Sequence, residues 1–257
     1  MLEVKDLSGG YGKKDIIQDI SFSLHSGDVL GILGPNGCGK TTLFKLLLGF
    51  LPRSKGEIYI GGISTRKLTG KQLAHELAYI PQAHSPAFNY KVIDMVLLGR
   101  TAHIPFLATP GQEDYSLAAS ALCMLNIKNL AEKEYTKISG GERQLVLIAR
   151  AICQQAKILI MDEPTANLDY ANQQLVLHTV KSLAQKGYTI IFSTHSPDQP
   201  FRLANKVLLV KNGKNQGFGP PEKVLTSKIL KEIYGINIEI VKVKDSANQH
   251  HSLCLSV

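Results

Sequence analysis

Short apolar runs broken by glycine turns open the chain. Leu2, Val4 and Leu7, then Ile20, Phe22 and Leu24, are interrupted by Gly9-Gly10 and Ser26-Gly27-Asp28. That pattern predicts antiparallel strands joined by turns over residues 2–33. Val29–Leu33 is a continuous apolar run feeding a glycine loop, and Thr41–Leu48 is apolar enough for a buried helix. From about Lys71 to Cys153 the reading becomes helical, with capping-box patterns at Thr69-Gly70-Lys71-Gln72 and Ser139-Gly140-Gly141-Glu142. Lys157–Asp162, Tyr188–Thr194 and Lys206–Val210 read as buried strands, with a helix over about Tyr170–Lys186. Strand and helix alternating in this way predict a parallel sheet covered on both faces. Residues 89–135 interrupt the alternation, so a helical subdomain is expected there. The tail from about Ser246 is polar and is expected to be poorly ordered.

Composition narrows the setting. A chain of 257 residues buries one large core or two joined ones, and 44% hydrophobic with 19% charged residues is ordinary for a globular protein. No apolar run approaches the roughly 20 residues that span a bilayer. The start, Met1-Leu2-Glu3-Val4-Lys5-Asp6, lacks the basic patch and apolar block of a secretory signal, so a cytoplasmic location is expected. Cys38, Cys123, Cys153 and Cys254 form no Cys-x-x-Cys pair, which argues against a disulfide framework or zinc ribbon. The formal charge of +8 comes from scattered basic residues, with no run longer than Lys13-Lys14. A solvated surface is therefore expected and a nucleic-acid partner is not. His250-His251-x-x-Cys254 falls short of a closed four-ligand metal site.

The chemistry concentrates in a few motifs. Gly34-Pro35-Asn36-Gly37-Cys38-Gly39-Lys40-Thr41 is a complete phosphate-binding loop between a strand and a helix. Its glycines let backbone N–H groups approach a polyphosphate, and the helix N-terminus adds its dipole. Lys40 suits the β- and γ-phosphates, and the Thr41 hydroxyl suits Mg²⁺. Cys38 reads as a small filler, with a redox switch as the alternative. Asp162 and Glu163 follow an apolar strand, where open α/β sheets bind ligands. Asp162 would hold Mg²⁺, and Glu163 would polarise an attacking water. Ser139-Gly140-Gly141 at a helix start is either a second anion site or simply a well-made cap; the residues alone leave both open.

Residues 1–240 resemble the ATP-binding subunit of an ATP-binding-cassette (ABC) transporter. The resemblance implies an α/β fold, a P-loop NTPase core with a mixed, mostly parallel sheet. It also implies an N-terminal antiparallel β-subdomain, a helical subdomain at roughly 89–153 and a C-terminal tail at 241–257. In that family two ATP–Mg²⁺ complexes are clamped between two copies, the Ser139-Gly140-Gly141-Glu142 signature of one completing the other's site. The nucleotide set implied here is Tyr11, which matches the adenine-stacking aromatic, with Gly34, Pro35, Asn36, Gly37, Cys38, Gly39, Lys40, Thr41 and Thr42. Gln82, after Tyr79-Ile80-Pro81, matches the glutamine that contacts Mg²⁺ and the attacking water. Asp169, in Ala166-Asn167-Leu168-Asp169, matches the loop that crosses to the second subunit, and His195 matches the γ-phosphate sensor. Glu163, His195, Gln82 and Lys40 are the implied catalytic set, and Thr41, Gln82 and Asp162 the Mg²⁺ set. Ile138 departs from the usual leucine, a change of similar volume.

Val96-Leu97-Leu98-Gly99-Arg100, the run Pro221–Thr226 and Ile233-Tyr234-Gly235 further resemble importers of iron chelates, vitamin B12 and molybdate or tungstate. Such a subunit implies polytopic membrane permease subunits as partners, indirectly a substrate-binding protein, and a peripheral place on the cytoplasmic face of the inner membrane. Phe88, Met95, Leu98, Ile104 and Phe106 are the candidate docking face, with a helical core as the alternative. Two other classes stay open. A DNA-repair or chromosome-organising ABC ATPase would carry a long coiled-coil insert between loop and signature, and the span from Thr42 to Ile138 is too short for one. A scaffold-type ATPase of metal-cluster assembly would lack a membrane partner.

Overall fold

A computed structural model describes residues 1–12, 14–82, 89–105, 107–244, 248 and 250–256, without the side chain of residue 251. The opening runs form β1 (Leu2–Tyr11) and β2 (Lys14–Leu24), which pair antiparallel. β3 (Val29–Leu33) is buried at every residue and passes through the glycine loop into α1 (Lys40–Leu47). β4 (Arg53–Ile60) and β5 (Ile63–Ser64) extend the antiparallel edge. Then come α2 (Gly70–Glu76), β6 (Leu77–Ile80), α3 (Val92–Leu97), α4 (Gln112–Met124), α5 (Gly140–Cys153), β7 (Ile158–Met161) and α6 (Tyr170–Gln185). The chain closes with β8 (Thr189–Thr194), α7 (Asp198–Leu203), β9 (Lys206–Lys211), β10 (Lys214–Gly219), α8 (Pro221–Val224), α9 (Ser227–Tyr234), β11 (Ile238–Lys244) and β12 (His250–Ser256). These elements fall into two compact units, residues 1–67 with 189–257, and residues 68–188.

In the first unit the strands run β5-β4-β1-β2-β10-β9-β3-β8. β3 lies parallel to both β8 and β9, and every residue of β3 and β8 is buried. That explains why these segments are unbroken apolar runs whereas β1 and β2 alternate. β9 returns as β10 through Asn212-Gly213, both at positive φ (50° and 74°), a two-residue hairpin turn. Leu33, Val207 and Leu209 are covered by Val224, Leu225, Leu230, Ile233 and Ile238 in one buried apolar cluster. β11 pairs with β12 from Ile238–Ser256 to Lys244–His250. This corrects the expectation of a poorly ordered tail: residues 250–256 form a strand. Ile240 and Cys254 of the hairpin pack against the same cluster, and β11 supplies the backbone partners that a polar segment cannot find alone.

In the second unit β6 and β7 pair in parallel, and α5 packs against α3 and α4. β6 corrects the helical reading of 71–153. Leu77–Ile80 is a short apolar run whose pattern suits a buried helix or strand equally, and α2 ends where Leu77 turns extended. Both capping boxes form, Thr69 with Gln72 and Ser139 with Glu142. Gly99 is required by close packing, since a Cβ there would stand 2.2 Å from the Arg150 carbonyl oxygen. Buried Arg100 beside it donates to Asp114 Oδ1 (2.9 Å), the Cys153 carbonyl (3.0 Å) and Gln155 Oε1 (2.8 Å). The Leu-Gly-Arg run therefore fastens the C-terminal end of α5, whose last carbonyls have no partner within the helix.

Candidate functional site

The phosphate loop is shaped by contacts on its inner side. A Cβ on Gly34 would lie 2.2 Å from the Val210 carbonyl oxygen and 2.6 Å from Cys38 Sγ. Gly37 and Gly39 sit at φ 78° and 108°, and at Gly37 no atom lies within 4 Å of a Cβ, so the backbone angle alone demands glycine there. Gly213 donates its N–H to the Cys38 carbonyl at 3.0 Å and pins the loop to the β9–β10 turn. Lys40 is buried, and its ammonium donates to the carbonyls of Gly34 (2.7 Å) and Pro35 (3.3 Å). The cation is thus folded onto the loop that is to receive phosphate. Asn36, Gly37 and Thr41 are exposed, Pro35 is half-buried, and Thr42 is buried in the first turn of α1. Burial pushes the Cys38 thiol up, so it stays protonated and behaves as packing, which favours the filler reading over a redox switch.

Tyr11 ends β1 with 48% of its surface exposed. Lys45 on α1 donates to its hydroxyl at 3.1 Å and lies 5.4 Å from the ring centroid, and that bond draws the phenol below its ordinary value. A ring tethered this way and open to solvent suits a stacking base. His195 follows β8 and is exposed; its backbone carbonyl accepts the Tyr234 hydroxyl at 3.0 Å.

The second unit carries the acids and the signature turn. The Asp162 N–H donates to the Ile80 carbonyl (2.9 Å), joining the ends of β7 and β6, and Gln82 is exposed just beyond β6. The Tyr79 hydroxyl donates to Asp162 Oδ2 at 3.3 Å; burial, and then the nearby carboxylate, push that phenol up to about 12. Glu163 holds φ 44°, a left-handed angle rare for a residue with a side chain. Ser139 caps α5: its hydroxyl accepts from the Glu142 N–H (3.2 Å), and Glu142 Oε2 accepts from the Ser139 N–H (2.7 Å). That second bond holds the Glu142 carboxyl below the ordinary carboxylate range.

Gly140 and Gly141 are glycines for different reasons. A Cβ on Gly141 would meet Asn172 Oδ1 at 2.1 Å, whereas one on Gly140 would sit 3.6 Å from Leu168, ordinary contact. Asp169 caps α6, accepting from the Asn172 N–H (2.8 Å) and Nδ2 (2.9 Å), so the signature turn and the Asp169 cap meet at Asn172.

Within the first unit the structure gathers Tyr11 and the loop 34–42 around α1. Within the second it gathers Asp162 with Tyr79, and Ser139–Glu142 with Asp169. Sequence reasoning passed over Gly213 and Asn172, and named Tyr79 and Tyr234 only as members of motifs, without a role. Asn212-Gly213 between two apolar runs is a hairpin signal and was legible; Asn172 carries no local pattern, and the motifs around Tyr79 and Tyr234 do not say what their hydroxyls bond. Of the apolar residues named for a docking face or a helical core, Met95 is buried, which for that residue selects the core alternative. Leu98 is half exposed and lines a cavity of about 710 Å³ with Leu97, Thr101, Ile104, Ala108 and Tyr115. Phe88 and Phe106 lie outside the described residues.

The Thr41 hydroxyl in the first unit and, in the second, the Asp162 carboxylate and the Gln82 amide oxygen are each hard oxygen donors of the kind magnesium takes. A positive-φ glycine loop ahead of a helix with a lysine folded onto it, and acids at a strand end, are the parts of a P-loop nucleotide-binding protein. The family model for ABC transporters matches residues 17–166, and the chain belongs to that family, whose ATP-binding subunits are ATPases coupled to transport.

The molybdate import ATP-binding protein MolC of Haemophilus influenzae is 41% identical over 235 residues, which cover 91% of this chain and 87% of that protein. The manganese transport system ATP-binding protein MntB of Bacillus subtilis is 34% identical over 251 residues, covering 97% and 98%. A solved structure described as an inward-facing metal-chelate type ABC transporter superposes with a TM-score of 0.89 at 37% identity, covering 100% of this chain and 97% of that one. Among the described residues no helix is long and apolar enough to cross a membrane.

Proposed function

We propose that this chain is the ATP-hydrolysing subunit of an importer for a metal chelate, a cobalamin-like compound or a molybdate or tungstate oxyanion. Two copies close on two ATP molecules, and closure moves a partner permease into its other conformation. The observation that carries the reading is the signature turn. Ser139 is exposed at the head of a 14-residue helix, and Gly140 has no steric neighbour that forbids a methyl group. Glycine there sacrifices up to about 1 kcal/mol of helix propensity against alanine, so an approach from outside the fold is the better reason for it. A phosphate of a nucleotide held by the twin's loop fits that opening.

The roles follow from chemistry. Tyr11 stacks on adenine. The loop 34–39 with Lys40, Thr41 and Thr42 cradles the phosphates. Glu163 orients and polarises the attacking water, and Gln82 and His195 attend the γ-phosphate. Thr41, Asp162 and Gln82 would hold Mg²⁺, which neutralises charge on the phosphates. Glu142 locks the signature turn, and Asp169 shapes the loop facing the twin. The helical subdomain at 89–153, with its groove beside Leu98, is the face offered to the permease, which holds the subunit peripherally at the cytoplasmic side of the membrane. A substrate-binding protein would deliver the cargo from the far side.

The relatives named for molybdate and manganese transport support an import role and leave the cargo as a choice among metal-related species. The resemblance to transport subunits over nearly the whole chain favours this reading over a DNA-repair or cluster-assembly ATPase. Glu163→Gln tests it. With ATP the variant should run as a dimer in sedimentation and release almost no phosphate. A monomer at saturating ATP, or unchanged turnover, would count against the reading.

A further inference from the structure

Two hydrogen bonds from the C-terminal part of the chain converge on the short loop that bears His195. The loop leaves β8 at Thr194 and enters α7 at Asp198. At its start, Tyr234 donates its hydroxyl to the His195 carbonyl at 3.0 Å. At its end, the amide of Cys254 on β12 donates to Asp198 Oδ1 at 2.7 Å. Inside it, the Ser196 N–H donates to Thr194 Oγ1 at 3.0 Å. Both flanks are therefore gripped by elements that follow in sequence but lie outside the nucleotide motifs.

Those elements have a firm base. Tyr234 is the last residue of α9, which Gly235 terminates at φ 74°. Leu230 and Ile233 of the same helix bury with Leu33, the residue that precedes Gly34, and with Leu209. One apolar cluster thus underlies both the root of the phosphate loop and the bracket around His195. Burial pushes the Tyr234 phenol well up, so the hydroxyl keeps its proton and remains a donor.

We propose that Tyr234 is a positioning residue for ATP hydrolysis: its bond to the His195 carbonyl lets α9 and the C-terminal hairpin set where the imidazole meets the nucleotide. The proposal rests on the assignment of His195 as γ-phosphate sensor. Tyr234→Phe keeps the ring in its cluster and removes only the donor. In steady-state ATPase assays of the full chain with MgATP, kcat should fall about three- to tenfold, the weight of one neutral hydrogen bond. KM for ATP should hold nearly constant, and the melting temperature should fall by no more than the few degrees that one such bond contributes to the fold. On a His195→Ala background the same change should have no further effect, because it acts through that residue.

Losses in kcat that multiply in the double variant would overturn the proposal, as would a fall in melting temperature with kcat unchanged. A slow His195→Ala beside a full-rate Tyr234→Phe removes the positioning role alone. A full-rate His195→Ala removes the sensor assignment itself, and the positioning role with it.

Discussion

Replacing Gly141 with alanine separates packing from nucleotide contact at the signature turn. The new methyl would stand 2.1 Å from Asn172 Oδ1, 2.3 Å from its Cγ and 2.8 Å from its Cβ. Asn172 must then swing away and release its 2.9 Å bond to Asp169 Oδ2. Overpacking of this kind costs about 1–3 kcal/mol, offset by up to about 1 kcal/mol of helix propensity gained over glycine. A net loss of about 1–2 kcal/mol lowers the melting temperature by about 2–8 °C for a chain of this size. Asn172→Gly removes all three clashing atoms, so in the double variant the added methyl should cost little. The denaturation cycle should return a favourable coupling equal to the relieved clash, about 1–3 kcal/mol, because the propensity gain cancels between its two legs. Phosphate release at saturating MgATP provides the second readout. If Gly141 faces a neighbour's nucleotide, the double variant recovers stability but stays far slower than Asn172→Gly alone. Recovery of stability and rate together would mean that the glycine serves only internal packing, and the proposal of two copies closing on ATP would lose this residue.

Two further outcomes follow from the structure. Leu98 is half exposed beside its groove, so Leu98→Asp should shift fold stability by no more than about 0.5 kcal/mol and leave soluble ATPase activity near normal while abolishing ATP-driven uptake with the permease; collapse of the isolated ATPase would instead make Leu98 a core residue. Asp28 is buried, which alone would raise its carboxyl, yet the His25 amide (2.7 Å), Lys206 (2.9 Å) and Asn205 (2.8 Å) outweigh burial and lower it. A carboxyl depressed in the folded state contributes stability that is present above its unfolded value, about 3.9, and is lost as pH falls through the lower folded value. Asp28→Asn should therefore be less stable at pH 7 and show a flatter stability profile in acid; denaturation profiles of unchanged slope would refute this.

How much was legible depends on whether the determinant is local. The phosphate loop, both capping boxes and the unbroken apolar strands β3, β7, β8 and β9 depend on neighbours in sequence, and each sits where its pattern predicted. β6 was hidden because four apolar residues specify burial without specifying period. β12 was hidden for a different reason: its strand character comes from pairing with β11 and from Asp198, neither of which its own sequence encodes. The same distinction runs through the site. Lys40 and Ser139 announce themselves by spacing. Tyr79, Asn172 and Tyr234 act on Asp162, Gly141 and His195 across long stretches of chain, through one hydroxyl or one amide each.

The glycines carry the point furthest. Gly37 is fixed by its own backbone angle, Gly99 and Gly141 by atoms of a helix or side chain far along the sequence, and Gly140 by nothing inside the described residues. Gly70, which opens α2 behind the Thr69 cap, is equally unconstrained, so Gly140 stands out by the signature it opens and not by steric freedom alone. In the reading proposed above its reason lies outside this chain's own fold, at a nucleotide held by a second copy, and Gly140→Ala with full ATPase activity would refute it.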